Sequence, residues 1–542
     1  MFFYQQLLCI VPCRSESELR GNFESYRDYY LHLNPHFNTT SLSDQRTTHN
    51  QLLEAEFSIF ITDLINHLAT LISPKIADVL QLQLDAMKLL PPTLPNSAIL
   101  DLPTEQYKII NTITQYLGPV SNNKYPYFFI TGSAGTGKSY IINIIKSWLT
   151  TRNINYLLLA PTGVAAQNIN GMTIHSALRI HQTEAGFQTL AFSDDVFRNQ
   201  LVKINTIIID EISMVSASLF TFISNLFASI HNNDLAFGGI NIIVVGDLAQ
   251  LPPVRGEPVF HSPIWHLFYP LFLTQPRRQQ SDANFYYYQM LQEIRLGNIS
   301  QTTWDKFVQK AASYKPAHSL ESLVTTTHIV PYKQTAEQIN RIVNNALPLE
   351  NEKFAIFEAI DFINGIQQNP ETVQSVFKLK TNLPPSVRIQ QGSRVMYLNN
   401  SLIEKGICNG TIGIITDFDK DASSVQVAFC VQNAIVHHWV PKYTSYFYAS
   451  GQKASRTQFP LQNSFALTIH KTQGLTLQKT TISLNDIFSP GQAYVAISRC
   501  PSWDNLSIST LHKTAFTTDP NVIREYERLQ HIAEQTQPIN YF

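Results

Sequence analysis

The sequence predicts an α/β protein whose central strands run parallel, and three observations carry that expectation. Four short runs rich in Ile, Val, Leu and Phe, at 125–131, 155–160, 206–210 and 240–246, alternate with stretches of helical texture. Continuous apolar strands of this kind suit a sheet covered by helices on both faces. The first run leads directly into Gly132-Ser-Ala-Gly-Thr-Gly-Lys138-Ser139, and the third ends in two adjacent acids, Asp210 and Glu211. In such sheets ligands bind beyond the carboxyl ends of the strands, which is where both features fall.

The bulk numbers agree with a globular chain. Of 542 residues, 44% are hydrophobic and 15% charged, and Lys+Arg 39 against Asp+Glu 40 leaves a net charge of -1. That length points to roughly two to four domains. Near-neutrality excludes a uniformly basic nucleic-acid coat but leaves room for a local basic groove. The five cysteines are scattered, which argues against a disulfide framework and for a reducing, intracellular setting. Cys9 and Cys13 have the spacing of half a zinc site, yet with no second pair nearby they also read as two small buried side chains. No apolar run reaches the ~18 residues of a bilayer span. The first ten residues lack a basic leading region, so no membrane partner is expected.

Along the chain, residues 1–100 stand apart, with helical text at 52–71 and a proline-rich linker at 91–95. From 101 the strand–helix alternation begins. Near 387–440 it gives way to short alternating strands, with Gly406, Gly410 and Gly413 expected in turns, which suggests a small β-barrel. From 465 the α/β texture returns.

The glycine-rich segment sits between a strand and an apolar helix. There the backbone N–H groups of Gly132, Ser133, Ala134, Gly135, Thr136 and Gly137 can turn inward around phosphate oxygens, aided by the helix dipole. Lys138 would neutralise the outer phosphates, and the Ser139 hydroxyl would hold Mg²⁺. Asp210 is placed to ligate the same ion through water, and Glu211 to orient or deprotonate an attacking water. The strand at 240–246 delivers Gln250, which could sense the terminal phosphate. Read in isolation, Asp210-Glu211 could be an ordinary strand end and Gln250 a solvated turn residue.

Taken together these residues resemble the Pif branch of superfamily-one helicases, over about 102–508. Leu102-Pro-Thr-Glu-Gln106 resembles the adenine-reading motif. Ala160-Pro-Thr-Gly-Val-Ala-Ala166 and Thr173-Ile-His-Ser176 resemble the first DNA-contact motifs, and Ala236-Phe-Gly-Gly-Ile240 a segment particular to this branch. Leu273-Thr-Gln-Pro-Arg-Arg278-Gln279 resembles motif IV, although Pro276-Arg277 stands where relatives carry Asn or an apolar residue. Phe465-Ala-Leu-Thr-Ile-His-Lys-Thr-Gln-Gly474 resembles motif V, and Gly491-Gln-Ala-Tyr-Val-Ala-Ile-Ser-Arg499 motif VI.

The resemblance implies two RecA-like P-loop NTPase lobes with ATP and Mg²⁺ between them. The first lobe would span 101–275, with a wedge element near 176–200. The second would span 276–385 and 461–542, with an SH3-like insertion at 386–460. Arg278 and Arg499 would reach the γ-phosphate from the second lobe, so that closure depends on ATP and reopening on hydrolysis. Thr162, His175, Thr468, His470 and Lys471 would contact DNA. The acid-free stretch 422–485, with its lysines, Arg456 and aromatic residues 439–448, has the composition of a single-strand groove. The implied activity is 5′-to-3′ unwinding by a monomer acting on single-stranded and tailed duplex DNA, in a nuclear or mitochondrial setting. The alternative is a catalytically weak, DNA-binding remnant of a mobile element, since residues 4–20 resemble the segment preceding the helicase part of Helitron transposon proteins.

Overall fold

The computed structural model describes residues 75–88, 102–117, 127–183, 186–276, 282–315, 319–349, 354–378, 380–418, 424–431 and 434–535. The expected helix at 52–71, the linker at 91–95, Cys9, Cys13 and the Helitron-like segment lie outside them.

The first layer is a six-stranded, all-parallel sheet. Its strands are β1 (Tyr127–Gly132), β2 (Tyr156–Ala160), β3 (Met172–Thr173), β4 (Thr206–Ile209), β5 (Asn241–Gly246) and β6 (Phe268–Leu273), in the order β3-β2-β4-β5-β1-β6. The four runs read from sequence are β1, β2, β4 and β5, and each is buried along most of its length. β1 sits between β5 and β6 and β4 beside β5, so the carboxyl ends carrying the glycine loop, the two acids and the Gln250 turn meet along one edge. Helices cover both faces, giving two apolar clusters, one around Ile141 and Ile145 and one around Phe220, Phe237 and Trp265.

A second parallel sheet follows, of β7 (Thr327–Val330), β8 (Ala466–Thr468), β9 (Thr480–Leu484) and β10 (Leu506–Leu511), in the order β8-β7-β9-β10. Between β7 and β8 the chain forms antiparallel strands running from Phe354 to Asn463. These make a five-stranded sheet, a four-stranded sheet and a separate pair. The β-rich part thus opens at Phe354, ahead of the expected 386. Gly406 and Gly410 turn the chain with positive φ, but Gly413 lies inside the strand Ile412–Phe418 rather than in a turn. A Cβ there would stand 2.6 Å from Val427 Cγ1, so it is close strand packing that asks for glycine.

Near the expected wedge, an antiparallel hairpin pairs Ile180–Thr183 with Gly186–Thr189. Two helices depart from the domain limits read from sequence. Ile76–Lys88 docks on the antiparallel part and the helix Leu320–Thr325, with Gln83 Nε2 donating to the Gly392 carbonyl at 2.8 Å. The helix Pro520–Gln535, expected with the second lobe, buries Val522, Tyr526 and Leu529 in the apolar cluster of the first sheet.

His328 of β7 is buried beside Arg394. Desolvation first and that guanidinium second push its pKa from 6.5 down to about 4. A folded-state pKa below the unfolded one means that acid favours unfolding. Stability is complete above about pH 6.5 and falls as the pH is lowered toward 4, by up to about 3 kcal/mol. A His328→Gln variant should lack that component, read as a smaller drop in urea midpoint between pH 7 and 4.5 than the parent shows. Equal drops would place the acid sensitivity elsewhere.

Candidate nucleotide and DNA site

The glycine loop leaves β1 and enters the helix Lys138–Thr151 through Gly137, whose φ of 90° is left-handed and open to glycine. Lys138 Nζ donates to the carbonyls of Gly132 at 2.8 Å and Ser133 at 2.9 Å, so the ammonium is folded onto its own loop. Burial pulls its pKa down, opposed by Asp247, Glu211 and Asp210. Gln106 is buried under the loop, its Nε2 3.5 Å from the Thr136 carbonyl.

Asp210 and Glu211 follow β4. Burial first, then the Glu211 charge, raises the Asp210 pKa to about 7. The Glu211 N–H donates to Asp210 Oδ1 at 2.8 Å, and Glu211 itself adopts φ 49° and ψ 46°. A non-glycine residue in that region costs on the order of 1–3 kcal/mol and is held only where the surroundings over-determine it. Glu211 Oε2 and Gln250 Oε1 are buried without a hydrogen-bond partner among the described residues. Two neighbouring acids, one raised in pKa and one with an orphaned oxygen, have the chemistry to fit a divalent cation. Ser139, Asp210, Glu211, Gln250 and Arg499 all line one cavity of about 1670 Å³ with the glycine loop.

Arg499 reaches this cavity from the helix Gln492–Ser498 of the second layer. Its guanidinium is held by its own layer. Nε donates to the Val495 carbonyl at 2.9 Å, Nη2 to Ser498 Oγ at 2.8 Å, and Nη1 to the Leu475 carbonyl at 3.4 Å. Burial lowers its pKa, and Glu211 opposes that most. The helix starts at Gly491, where a Cβ would lie 2.8 Å from the Ala249 carbonyl, so only glycine allows it to abut the Gln250 turn. Arg277 and Arg278 lie outside the described residues.

Sequence reasoning missed the buried cluster that ties the two layers together. Asp247, fully buried, accepts from Arg295 Nε at 3.0 and 3.1 Å, Tyr494 Oη at 2.8 Å and Tyr526 Oη at 2.9 Å. Burial alone would raise the Asp247 pKa, but Arg295 and then Lys138 outweigh it and hold the group charged. The same Tyr494 hydroxyl accepts the Ala134 N–H of the glycine loop at 2.9 Å, and Ser133 Oγ donates to Tyr288 Oη at 3.2 Å. Tyr494 sits inside a motif already singled out, and Asp247 falls between the strand run at 240–246 and Gln250. Arg295, Tyr288 and Tyr526 gave no sequence signal, because only the packing of two distant helices, Asp282–Arg295 and Pro520–Gln535, brings them in.

The expected DNA contacts are more dispersed. Thr162 caps the helix Gly163–Asn168 by accepting from the Ala165 N–H, and His175 is exposed one short turn after β3. Thr468, His470 and Lys471 follow one another at the end of β8. Lys471 Nζ bonds Gln462 Oε1, and burial, then Lys333, lowers its pKa to about 8. Two members of the acid-free stretch prove structural. Arg456 is fully buried and pairs with Asp361 through Nε at 2.8 Å and Nη2 at 2.6 Å, while Phe447 packs edge-on against Phe377. The stretch looked free of acids because its counter-charge comes from a strand nearly a hundred residues earlier. Trp439, Tyr446 and Tyr448 remain exposed.

Residues 101–305 match the PIF1-like helicase family. The ATP-dependent DNA helicase PIF1 of Homo sapiens is 33% identical over 414 residues, covering 74% of this chain and 61% of that protein. That of Xenopus laevis is 30% identical over 454 residues, covering 81% and 66%. The chain therefore spans less than two thirds of the length of these relatives. Among solved structures, a Pif1 helicase from Candida albicans is similar with a TM-score of 0.66 at 26% identity, covering 79% of this chain and 99% of that one. A Bacteroides Pif1 helicase in complex with ADP-AlF3 and single-stranded DNA gives 0.63 at 26% identity, covering 80% and 98%. The matched segment carries the glycine loop, the strand ending in Asp210 and Glu211, and the Gln250 turn that the fold gathers at one sheet edge, and the chain belongs to the PIF1-like helicase family.

Proposed function

We propose that this chain is an ATP-dependent DNA helicase that moves 5′-to-3′ on single-stranded DNA and unwinds duplex ahead of it. The observation that carries the reading is the meeting of Lys138, Asp210, Glu211 and Gln250 from one sheet with Arg499 from the other in one cavity. A phosphate loop alone binds nucleotide. An arginine supplied by a second layer makes turnover depend on how the layers stand, which is the requirement of a motor.

In this reading the loop N–H groups and Lys138 bind the triphosphate, and Gln106 lies on the adenine side. Glu211 takes a proton from the attacking water, with Gln250 orienting that water. Bound Mg²⁺, held by Ser139 and Asp210, would neutralise charge building on the phosphate oxygens. Thr162, His175, Thr468, His470 and Lys471 would grip the strand, and Arg278 would join Arg499 as a second cation. The reading extends to an enzyme that acts as a monomer in DNA repair, recombination or telomere maintenance, in the nucleus or mitochondria. The strained Glu211 and the orphaned oxygens around it favour an active enzyme over a remnant, since a decayed site has no reason to keep either.

Unwinding of duplexes with a single-stranded tail on one end tests the direction. With ATP and Mg²⁺ the 5′-tailed substrate should be opened and the 3′-tailed one left intact. Equal opening of both would refute the polarity, and opening of neither would refute helicase activity.

A further inference from the structure

Three aromatic rings line up on the second layer, and no motif read from the sequence accounts for two of them. Phe488 lies with its ring centroid 5.3 Å from Tyr332 at an interplanar angle of 27°, and 6.4 Å from His470 at 20°. Rings that nearly parallel form a stack rather than an edge-on core packing. The stack is also exposed: Phe488 keeps 57% and Tyr332 40% of their surface open to solvent, and His470 is exposed as well. A single exposed phenylalanine is unremarkable on a protein surface. Three stacked and open rings at one place are not.

Their position follows from topology. Tyr332 comes just after β7, His470 just after β8, and Phe488 in the loop after β9. These three strands are neighbours, β8-β7-β9, and parallel, so their carboxyl ends deliver all three rings to one edge. That edge also carries two lysines. Lys333 precedes an exposed i,i+4 partner, Glu337, at 3.4 Å, and Lys471 adjoins His470. Open aromatic faces beside cations match a strand with flat bases on one side and phosphates on the other. An apolar protein partner would use the rings but not the positive charge that Lys333 and Lys471 bring to the same edge.

The loop is not loose. The Phe488 N–H donates to Oε1 of the fully buried Gln492 at 3.3 Å. Gln492 opens the helix that ends at Arg499, so the ring is fixed to the element carrying the arginine.

We infer that Phe488 and Tyr332, with His470, form a stacking platform for a base of single-stranded DNA. This rests on the DNA-binding reading above and names residues that reading did not include. One base would stack on the open surface of Phe488, with Lys333 and Lys471 on the same edge to meet its flanking phosphates. Base–aromatic stacking tolerates any base, because each has a π-face, so the platform grips without reading sequence.

The test uses the whole chain and fluorescence anisotropy with an oligothymidylate of about 15 nucleotides and an abasic backbone of equal length. The parent should prefer the base-bearing strand. Phe488→Ala should bind oligothymidylate about ten-fold more weakly, bind the abasic strand within about two-fold of the parent, and keep the parent's salt dependence. Phe488→Trp, which keeps a stacking face, should restore the preference. Because the ring is more than half exposed, an unchanged thermal midpoint is expected for each variant, and comparison on the abasic strand separates lost stacking from lost fold. If Phe488→Ala keeps the full preference for bases, or loses the same factor on both strands, the platform is overturned. If the parent binds neither strand, the helicase reading falls first and the platform with it.

Discussion

Arg499→Ala is expected to lower ATP turnover by about three to five orders of magnitude while nucleotide binding changes little. The reason lies in where the guanidinium rests. Every hydrogen bond it makes runs to its own layer, to Val495, Ser498 and Leu475, yet Glu211 is the first of the anionic groups acting on it. The side chain is therefore stored beside the phosphate site rather than used in binding there. Its contribution should fall on the transition state, where charge spreads over the γ-oxygens, and so on kcat rather than on affinity. Single-turnover hydrolysis beside binding of a fluorescent nucleotide separates the two. Arg499→Lys should recover little, because an ammonium lacks the planar fork that meets two phosphate oxygens together. Turnover within ten-fold of the parent in Arg499→Ala would remove this residue from the reaction.

Asp247→Asn should destabilise the protein by about 3–5 kcal/mol, the usual cost of removing one member of a buried ion pair. The substitution preserves shape but strands Arg295, whose side chain is 12% exposed and whose guanidinium otherwise sits over the Tyr526 ring. It also withdraws the carboxylate to which Tyr494 and Tyr526 both donate. Because these partners come from three helices, the loss should be global, seen as a shift of the whole urea transition and not as an added early phase. A double variant, Asp247→Asn with Arg295→Met, should recover part of the loss, since no unpaired charge then remains. A single-variant cost below about 1 kcal/mol would mean that water reaches the cluster and pairs Arg295 itself.

The parts of this protein that could be read from its sequence are those where a local pattern states its own chemistry. Continuous Ile, Val and Phe runs marked β1, β2, β4 and β5, because a strand buried on both faces admits nothing polar. Glycines at fixed spacing before Lys138 and Ser139 marked the phosphate loop, because that turn needs residues without a Cβ. The acids after β4 stood out because charge at the end of an apolar run needs a partner.

Where the reading went astray, the deciding partner was far away in the chain. Arg456 looked like a phosphate contact in a stretch without acids, but pairing between Ile360–Ile363 and Gln452–Gln458 sets Asp361 opposite it and buries both. Gly413 looked like a turn residue because glycine has that use most often, whereas its close neighbour Val427 lies on another strand. The helix Pro520–Gln535 carries no mark of the sheet it covers, since its amphipathic face would fit either layer.

By itself, then, the sequence determined four of the six strands of the first sheet, the phosphate loop, the acids that face it and the family. Tertiary structure alone decided that Asp247, Arg295, Tyr494 and Tyr526 form one buried cluster across two layers, and that Tyr332, His470 and Phe488 share an open edge. The physical reason is the same in both cases. Short-range periodicity and backbone conformation are encoded by neighbours in the chain, while a buried charge or a ring stack is defined by which helices and strand ends pack together, and no local pattern carries that information.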